Sequence, residues 1–250
     1  IFISFCCLFV MTLITYASYS VLHDAVHGAI SGERTEYRWI NESLGYAAGW
    51  IMGVPLTAHR HVHLSHHRNT NIAGQDPDLS YAKAENFWQE LLQFWSGATA
   101  LQYKFYIKNR WALRKGNQNI YLCLEILVQV GVRLLVMWQV GWWLGLTLFI
   151  ISSIIAVTIL VYLFAYIVHR PHDQSGRYKD TSTILIKGPF GHILTVLWAY
   201  QNYHSVHHLY PRVPFYRYPE VFEEIRDEMT LRGAPIFHLT GTGLSNLKVS

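Results

Sequence analysis

Trp142-Trp-Leu-Gly-Leu-Thr-Leu-Phe-Ile-Ile-Ser-Ser-Ile-Ile-Ala-Val-Thr-Ile-Leu-Val-Tyr-Leu-Phe-Ala-Tyr-Ile-Val168 contains no Asp, Glu, Lys or Arg. A helix of that length exceeds the roughly 20 residues that cross a bilayer core, so it predicts a span that tilts or runs past the interface. Just before it, Gly141 with Trp142 and Trp143 predicts a tight, uncharged turn carrying interfacial aromatics. Further back, Ile120 to Val140 is apolar apart from Glu125, Gln129, Arg133 and Gln139. Their spacing, close to every fourth residue, gathers them on one helical face that must pack on protein. The two runs therefore form a spanning hairpin.

Ile1 to Leu22 is another uncharged run of spanning length. It starts without an initiating Met, which suggests that an N-terminal part is missing. Ile40 to Leu56 is shorter, contains glycines and is closed by Pro55. Composition agrees with a membrane setting: hydrophobic residues make up 51% and charged residues 14%, against roughly 25% charged in an average soluble domain. Cys6, Cys7 and Cys123 lie in apolar stretches without CxxC spacing, which speaks against a disulfide framework or a thiolate zinc site. The net charge of +4 comes with no basic-aromatic pattern for nucleic acid.

The polar stretches carry Arg60, Arg68, Lys104, Lys108, Arg110, Arg114, Lys115, Arg170, Arg177, Lys179 and Lys187, whereas the Gly141 turn carries no charge. The positive-inside rule puts those stretches on the cytoplasmic side. Because the hairpin crosses twice, His63 to His67 and the chain from His169 onward share one side. For His23 to join them, Ile40 to Leu56 must re-enter or lie in the interface. The expected fold is an all-α integral membrane protein, with transmembrane helical hairpins and a cytoplasmic histidine-rich cap. It forms one domain over residues 1–250, in the plasma membrane if the source is bacterial.

The histidines carry the chemistry. Fourteen occur, and eight fall into three boxes: His23-Asp-Ala-Val-His27, His63-Leu-Ser-His66-His67 and His204-Ser-Val-His207-His208. On a helix, residues i and i+3 or i+4 share a face, while the adjacent histidine is turned by roughly 100° and reaches a neighbouring metal. Imidazole suits zinc, copper, iron or nickel, so ligand type does not choose. A structural zinc uses four ligands and a catalytic zinc about three, whereas eight suit two metals with open positions. Two irons are the expected pair, because an imidazole-rich pair of irons activates dioxygen at a membrane face.

The boxes and their neighbours resemble the membrane fatty acid desaturase and hydroxylase superfamily. Within it they are most similar to bacterial-type β-carotene hydroxylases and, less closely, to β-carotene ketolases. The similar stretches are His23-Asp-Ala-Val-His27-Gly, His66-His67-Arg-Asn-Thr with Asp76-Pro-Asp78, His169-Arg-Pro171, and Gln201 through Tyr216. This resemblance implies that His23, His27, His63, His66, His67, His204, His207 and His208 are iron ligands at the catalytic centre. It adds His169, at the end of the last span, with His172 as the competing choice. His59, His61, His192 and His238 stand outside the pattern and are left out. Metal-bound imidazoles usually donate their second N–H to a carboxylate or carbonyl. Asp24, Asp76 and Asp78, with Asp173 and Asp180, are the acceptors at hand, and Asn202 is placed to orient a ligand or a metal-bound water.

The expected activity is a membrane di-iron oxygenase that uses O2 as co-substrate on a long apolar lipid, foremost the β-carotene ring. Phe215, Tyr216 and Tyr218 are expected to wall the substrate. Electrons must come from a carrier such as a ferredoxin, since no dinucleotide loop or haem segment is recognisable. Fatty acid desaturation is the alternative, followed by β-carotene ketolation. A metal transporter is the remote one, because transporters hold ions near the midplane on broken helices whereas these boxes sit at span ends.

Overall fold

The computed structural model describes residues 2–79, 87–96, 100–240 and 243–246; Ile1 lies outside the described residues. Helices dominate. In chain order they are α1 (Phe2–His27), α2 (Arg38–Met52), α3 (Leu56–Asn69), α4 (Phe87–Ser96), α5 (Gln102–Asn109) and α6 (Gln118–Val140). Next come α7 (Trp142–His169), α8 (Gly191–Leu197), α9 (His204–Leu209) and α10 (Tyr218–Leu231). Among the described residues three helices are long and apolar enough to cross a bilayer: α1, α6 and α7. Leu127, Val128, Leu134, Leu135 and Trp138 stand exposed on α6, as side chains facing lipid would. Within α7, π turns at Thr147–Ile151 and Val161–Tyr166 adjust the face it presents to α1.

The Ile40 to Leu56 run forms most of α2 and turns back at its end. Asn41 Nδ2 donates to the Ala25 carbonyl at 2.9 Å, and Gly49 lies against Leu22, so α2 runs antiparallel to α1. A side chain at Gly45 would meet Ala25 Cβ at 2.7 Å, so glycine is what allows the two helices this close. Gly53, at φ +77°, reverses the chain into α3. Arg60 on α3 then reaches Glu42 on α2 at 2.9 Å, which makes α2 and α3 a hairpin with both outer ends at the histidine end of the bundle.

The polar face of α6 covers the tip of that hairpin. Arg133 donates to the carbonyls of Trp50 and Ile51, and Gln129 donates to the Gly49 carbonyl at 3.4 Å. The Thr57 backbone N–H donates to Glu125 at 3.2 Å. A cation thus sits at the C-terminus of α2 and a carboxylate at the N-terminus of α3, which is how helix dipoles are best compensated. It also satisfies backbone groups that lipid would leave unpaired. Beyond Arg133, Leu134 to Val140 of α6 continues past the tip, so the hairpin stops short of the far end of the bundle.

The cap adds what the helical expectation did not contain: a small sheet. Strand β1 (Thr183–Ile186) pairs parallel with β2 (Ile236–Thr240), which pairs antiparallel with β3 (Gly243–Asn246). Thr183-Ile-Leu-Ile186 is a β-branched run too short to read as more than a loop. Val206, Leu209, Tyr218, Phe222, Met229 and Ile236 form the cap's own core under α9 and α10. A second core of Leu22, Val26, Met52, Leu56, Leu160 and Phe164 ties α1, α2, α3 and α7 together.

Candidate metal centre

Three helix ends converge where the two cores meet. His23 and His27 leave the last turn of α1, His63, His66 and His67 line the end of α3, and His204, His207 and His208 fill α9. His169 ends α7. Helical spacing then sorts them. The ligand nitrogens of His23, His27, His63, His67 and His207 lie within 4.8 Å of one another, and so do those of His66, His169 and His208. His204 joins the second group, its Nε2 being 3.1 Å from His169 Nε2. Each HxxHH box is therefore split. In α3 the i,i+4 pair His63 and His67 faces the first group while His66 faces the second; in α9 His204 and His208 face the second while His207 crosses to the first.

The groups touch through His67 and His208, whose rings stack at 4.1 Å with 19° between planes. Within the first group His67 Nε2 is 3.1 Å from His63 Nε2 and 2.8 Å from His207 Nε2. Nitrogens packed this closely repel unless a proton or a cation lies between them. Both nitrogens of His23, with His27 Nε2, His169 Nδ1 and His208 Nε2, are buried without a hydrogen-bond partner. Burial holds the His204, His207 and His208 imidazoles well below their ordinary protonation range. Neutral rings with inward lone pairs are the donor set that a pair of metal ions requires, and the residues present fit one ion in each group.

Second nitrogens are held from outside. His66 Nδ1 donates to Asp76 Oδ1 at 2.9 Å, with Asp78 at 3.8 Å. Burial alone would lower His66, but the Asp78 and Asp76 carboxylates outweigh it and hold His66 above its usual value. Asp76 is itself fixed by the backbone N–H groups of Asn71 and Asp78. Asp24 approaches His23 Nδ1 less closely, at 3.6 Å.

The remaining sequence expectations land elsewhere. Asn202 donates to the Ile184 carbonyl at 2.9 Å and so anchors β1; its neighbour Gln201 accepts from His204 Nδ1 at 2.7 Å. A glutamine three residues before a box histidine shares its helical face, and that spacing is the signal by which the sequence marks Gln201. Tyr218 does not wall a substrate: it is fully buried and its oxygen accepts from His207 Nδ1 at 3.0 Å. Phe215 packs on the cap core and Tyr216 is 60% exposed, so neither faces the centre. Asp180 serves through its backbone carbonyl, which takes Asn71 Nδ2. His172 stacks beside His169 at 6.5 Å and belongs to neither group. His61 bonds Gln118, and His238 pairs with Ser245 in the sheet.

Among the described residues three openings reach the centre, one of them a polar cleft of about 470 Å³ at His27 between Arg38, Glu42, Arg60 and Arg212. A narrow cavity of about 60 Å³ between α1, α3 and α7 is lined by Leu22, Met52, Val54, Val62, Leu160, Phe164 and the ligand His63, with Tyr19, His59, Asp78 and Gln102 as its polar members. On the opposite side a polar cleft of about 540 Å³ exposes His67 and His208 between Arg68, Arg177 and Asp180.

Comparison with known proteins agrees with this architecture. The fatty acid desaturase family matches residues 1–240. A β-carotene ketolase of Paracoccus sp. (strain N81106 / MBIC 01143) is 24% identical over 211 residues, covering 84% of this chain and 75% of the relative. A second β-carotene ketolase, from Paracoccus sp. (strain PC1), is 24% identical over 216 residues, covering 85% and 76%.

Proposed function

The chain belongs to the fatty acid desaturase family and is an oxidoreductase, and from that premise we propose that it is a membrane di-iron oxygenase that hydroxylates a carotenoid end ring. The carrying observation is the juxtaposition of two adjoining histidine groups with an apolar cavity built by the spans. His23, His27, His63, His67 and His207 would hold one iron, and His66, His169, His204 and His208 the other. Bound there, the irons supply the activation of O2 that lets an unactivated C–H bond be oxidised. The protein's part is to fix nitrogens, exclude water and present one carbon. Asp76, Gln201 and Tyr218 hold ring orientations, and the apolar lining beside His63 favours a hydrocarbon drawn from the bilayer.

The cleft at His67 and His208 supports electron entry from outside the membrane. Arg68 and Arg177 give it a positive rim suited to an acidic carrier of the ferredoxin kind. Basic residues throughout the histidine-bearing stretches favour the cytoplasmic face, at the plasma membrane in a bacterial cell.

Two other products have support. The names of the relatives favour ring ketolation. The cavity, at about 60 Å³, is narrower than the roughly 150 Å³ that takes up benzene, which favours a slender acyl chain and its desaturation unless side chains move aside for a ring. Expression in cells making β-carotene, with chromatography of carotenoids and lipids, tests the proposal. Zeaxanthin supports ring hydroxylation and canthaxanthin ketolation. Unchanged carotene beside newly unsaturated lipids, with folded and iron-loaded protein, replaces both with desaturation.

A further inference from the structure

Two spaces that meet beside α2 have opposite chemistry. The polar cleft at His27, of about 470 Å³, carries Arg38, Arg60 and Arg212 against Glu33 and Glu42. Next to it, a groove of about 590 Å³ between α2 and α6 is walled by Tyr46, Trp50, Tyr121, Leu124 and Val128. The groove's polar members at its α6 side are already engaged: Glu125 takes the Thr57 N–H and Gln129 donates to the Gly49 carbonyl. Arg38 and Glu42 line both spaces, so cleft and groove adjoin at the first turns of α2. Arg38, Glu42, Tyr46 and Trp50 recur at every fourth residue, which puts them on one stripe of that helix.

The cleft is left with unsatisfied groups. Arg60 holds Glu42 through two hydrogen bonds, of 3.1 and 2.9 Å, which cancels that pair. Among the described residues the Arg38 and Arg212 side chains have neither an ion pair nor a hydrogen bond, and the Glu33 carboxylate offsets only one of them. Asn41, 2% exposed, lines the same cleft, and its Oδ1 has no hydrogen-bond partner. A buried acceptor without a donor is rare in native proteins, so it points to a ligand that brings one. The cleft therefore suits one negative charge with a hydroxyl beside it.

We propose that cleft and groove together bind one anionic phospholipid with a hydroxylated headgroup, of which phosphatidylglycerol is the simplest. Its phosphate lies between Arg38 and Arg212, a headgroup hydroxyl donates to Asn41 Oδ1, and one acyl chain follows the α2 stripe past Tyr46 to Trp50. Basic pockets between spanning helices recognise such headgroups. Length agrees: Arg38 to Trp50 covers roughly 18 Å of helix, close to one leaflet of a hydrocarbon core about 30 Å thick. A soluble anion would leave the apolar groove open, and a bare hydrocarbon would leave the arginines unpaired. Among the described residues no histidine lines the groove, so the chain within it is not presented to either histidine group and the lipid is a resident partner rather than a substrate. Its headgroup covers His27 on the water side of the first histidine group.

The test places the purified full chain in phosphatidylcholine nanodiscs doped with phosphatidylglycerol or phosphatidylethanolamine, and counts the lipids each chain retains by native mass spectrometry. One phosphatidylglycerol per chain is expected, preferred roughly tenfold over phosphatidylcholine, as one uncompensated positive charge at a membrane surface gives. Replacing both arginines, Arg38→Gln with Arg212→Gln, should abolish that preference. Val128→Trp fills the apolar end without touching a charge and should cut retention by a similar factor; Val128 faces outward, so this variant decides the matter if the arginine variant does not fold. Equal retention of phosphatidylglycerol and phosphatidylcholine overturns the proposal, as does a preference that survives the loss of both arginines. Stronger retention of phosphatidylethanolamine overturns the anionic assignment. Displacement of the lipid by glycerol phosphate, or a Val128→Trp variant that retains as much lipid as wild type, would assign the cleft to a soluble anion and overturn the lipid site. None of these measurements uses turnover, so failure of the carotenoid function and failure of the lipid site are told apart.

Discussion

His67 Nε2 lies 2.8 Å from His207 Nε2 although the residues stand 140 positions apart in the chain. A pair this close shares a proton or a cation, and the unpaired nitrogens of His23 and His27 around it favour the cation. Replacing either residue with Ala should abolish turnover and lower iron content, while His192→Ala or His238→Ala should leave both near wild type. Equal losses in the two sets, by iron analysis and product formation, would show that the ligand set is drawn wrongly.

The groups behind the ligands should act by affinity. Asp76→Asn removes the charge opposite His66, and Tyr218→Phe removes the oxygen on His207. Each should weaken iron retention against a chelator by roughly 10–100-fold. Asn202→Ala should leave retention alone and lower the melting temperature, since that side chain anchors β1. Iron loss from Asn202→Ala matching that from Asp76→Asn would reverse the roles given to these residues.

The hairpin tip offers a test of the fold. A Cβ at Gly53 would come within 2.9 Å of the Arg133 guanidinium, and its φ of +77° is unfavourable for any side chain. Arg133→Met would leave the Trp50 and Ile51 carbonyls without their donor, at a cost of about 1–3 kcal/mol. Both Gly53→Ala and Arg133→Met should lower the melting temperature in detergent. Two unchanged melting curves would contradict the α2–α3 packing described.

Acid should destabilise the metal-free protein. Burial depresses His204, His207 and His208 below the ordinary value of 6.5. The unfolded chain takes up protons at these residues as pH falls through about 6.5, while the folded chain does not. Their contribution is therefore complete above that pH and is lost below it. His66, held above its ordinary value by Asp78 and Asp76, and Asp78, pushed up to about 6 by burial, work in the opposite sense but are two residues against three. Melting should come at a lower temperature near pH 5.5 than near pH 7.5, and a rise on acidification would contradict the buried, neutral assignment.

Much of this was legible in the sequence, for physical reasons. Uncharged runs have few alternatives to a span, which makes α1 and α7 directly readable, while α6 follows from the near-fourfold spacing of Glu125, Gln129 and Arg133 on one face. The i,i+4 spacing of His63 with His67 and of His204 with His208 encodes the split between the two groups. The parity of the α6–α7 hairpin anticipated that α2 would turn back. Long-range contacts were not legible: Tyr218 reaches His207 only because the chain reverses between α9 and α10, and no local pattern distinguishes that tyrosine from the exposed Tyr216. The same holds for β1 and β2, whose pairing joins short segments far apart in the chain.

The central claim is that this chain holds two irons, and metal analysis of protein purified without added zinc tests it most directly. Iron near two equivalents per chain is the expected result. One tightly held zinc with no iron would contradict it.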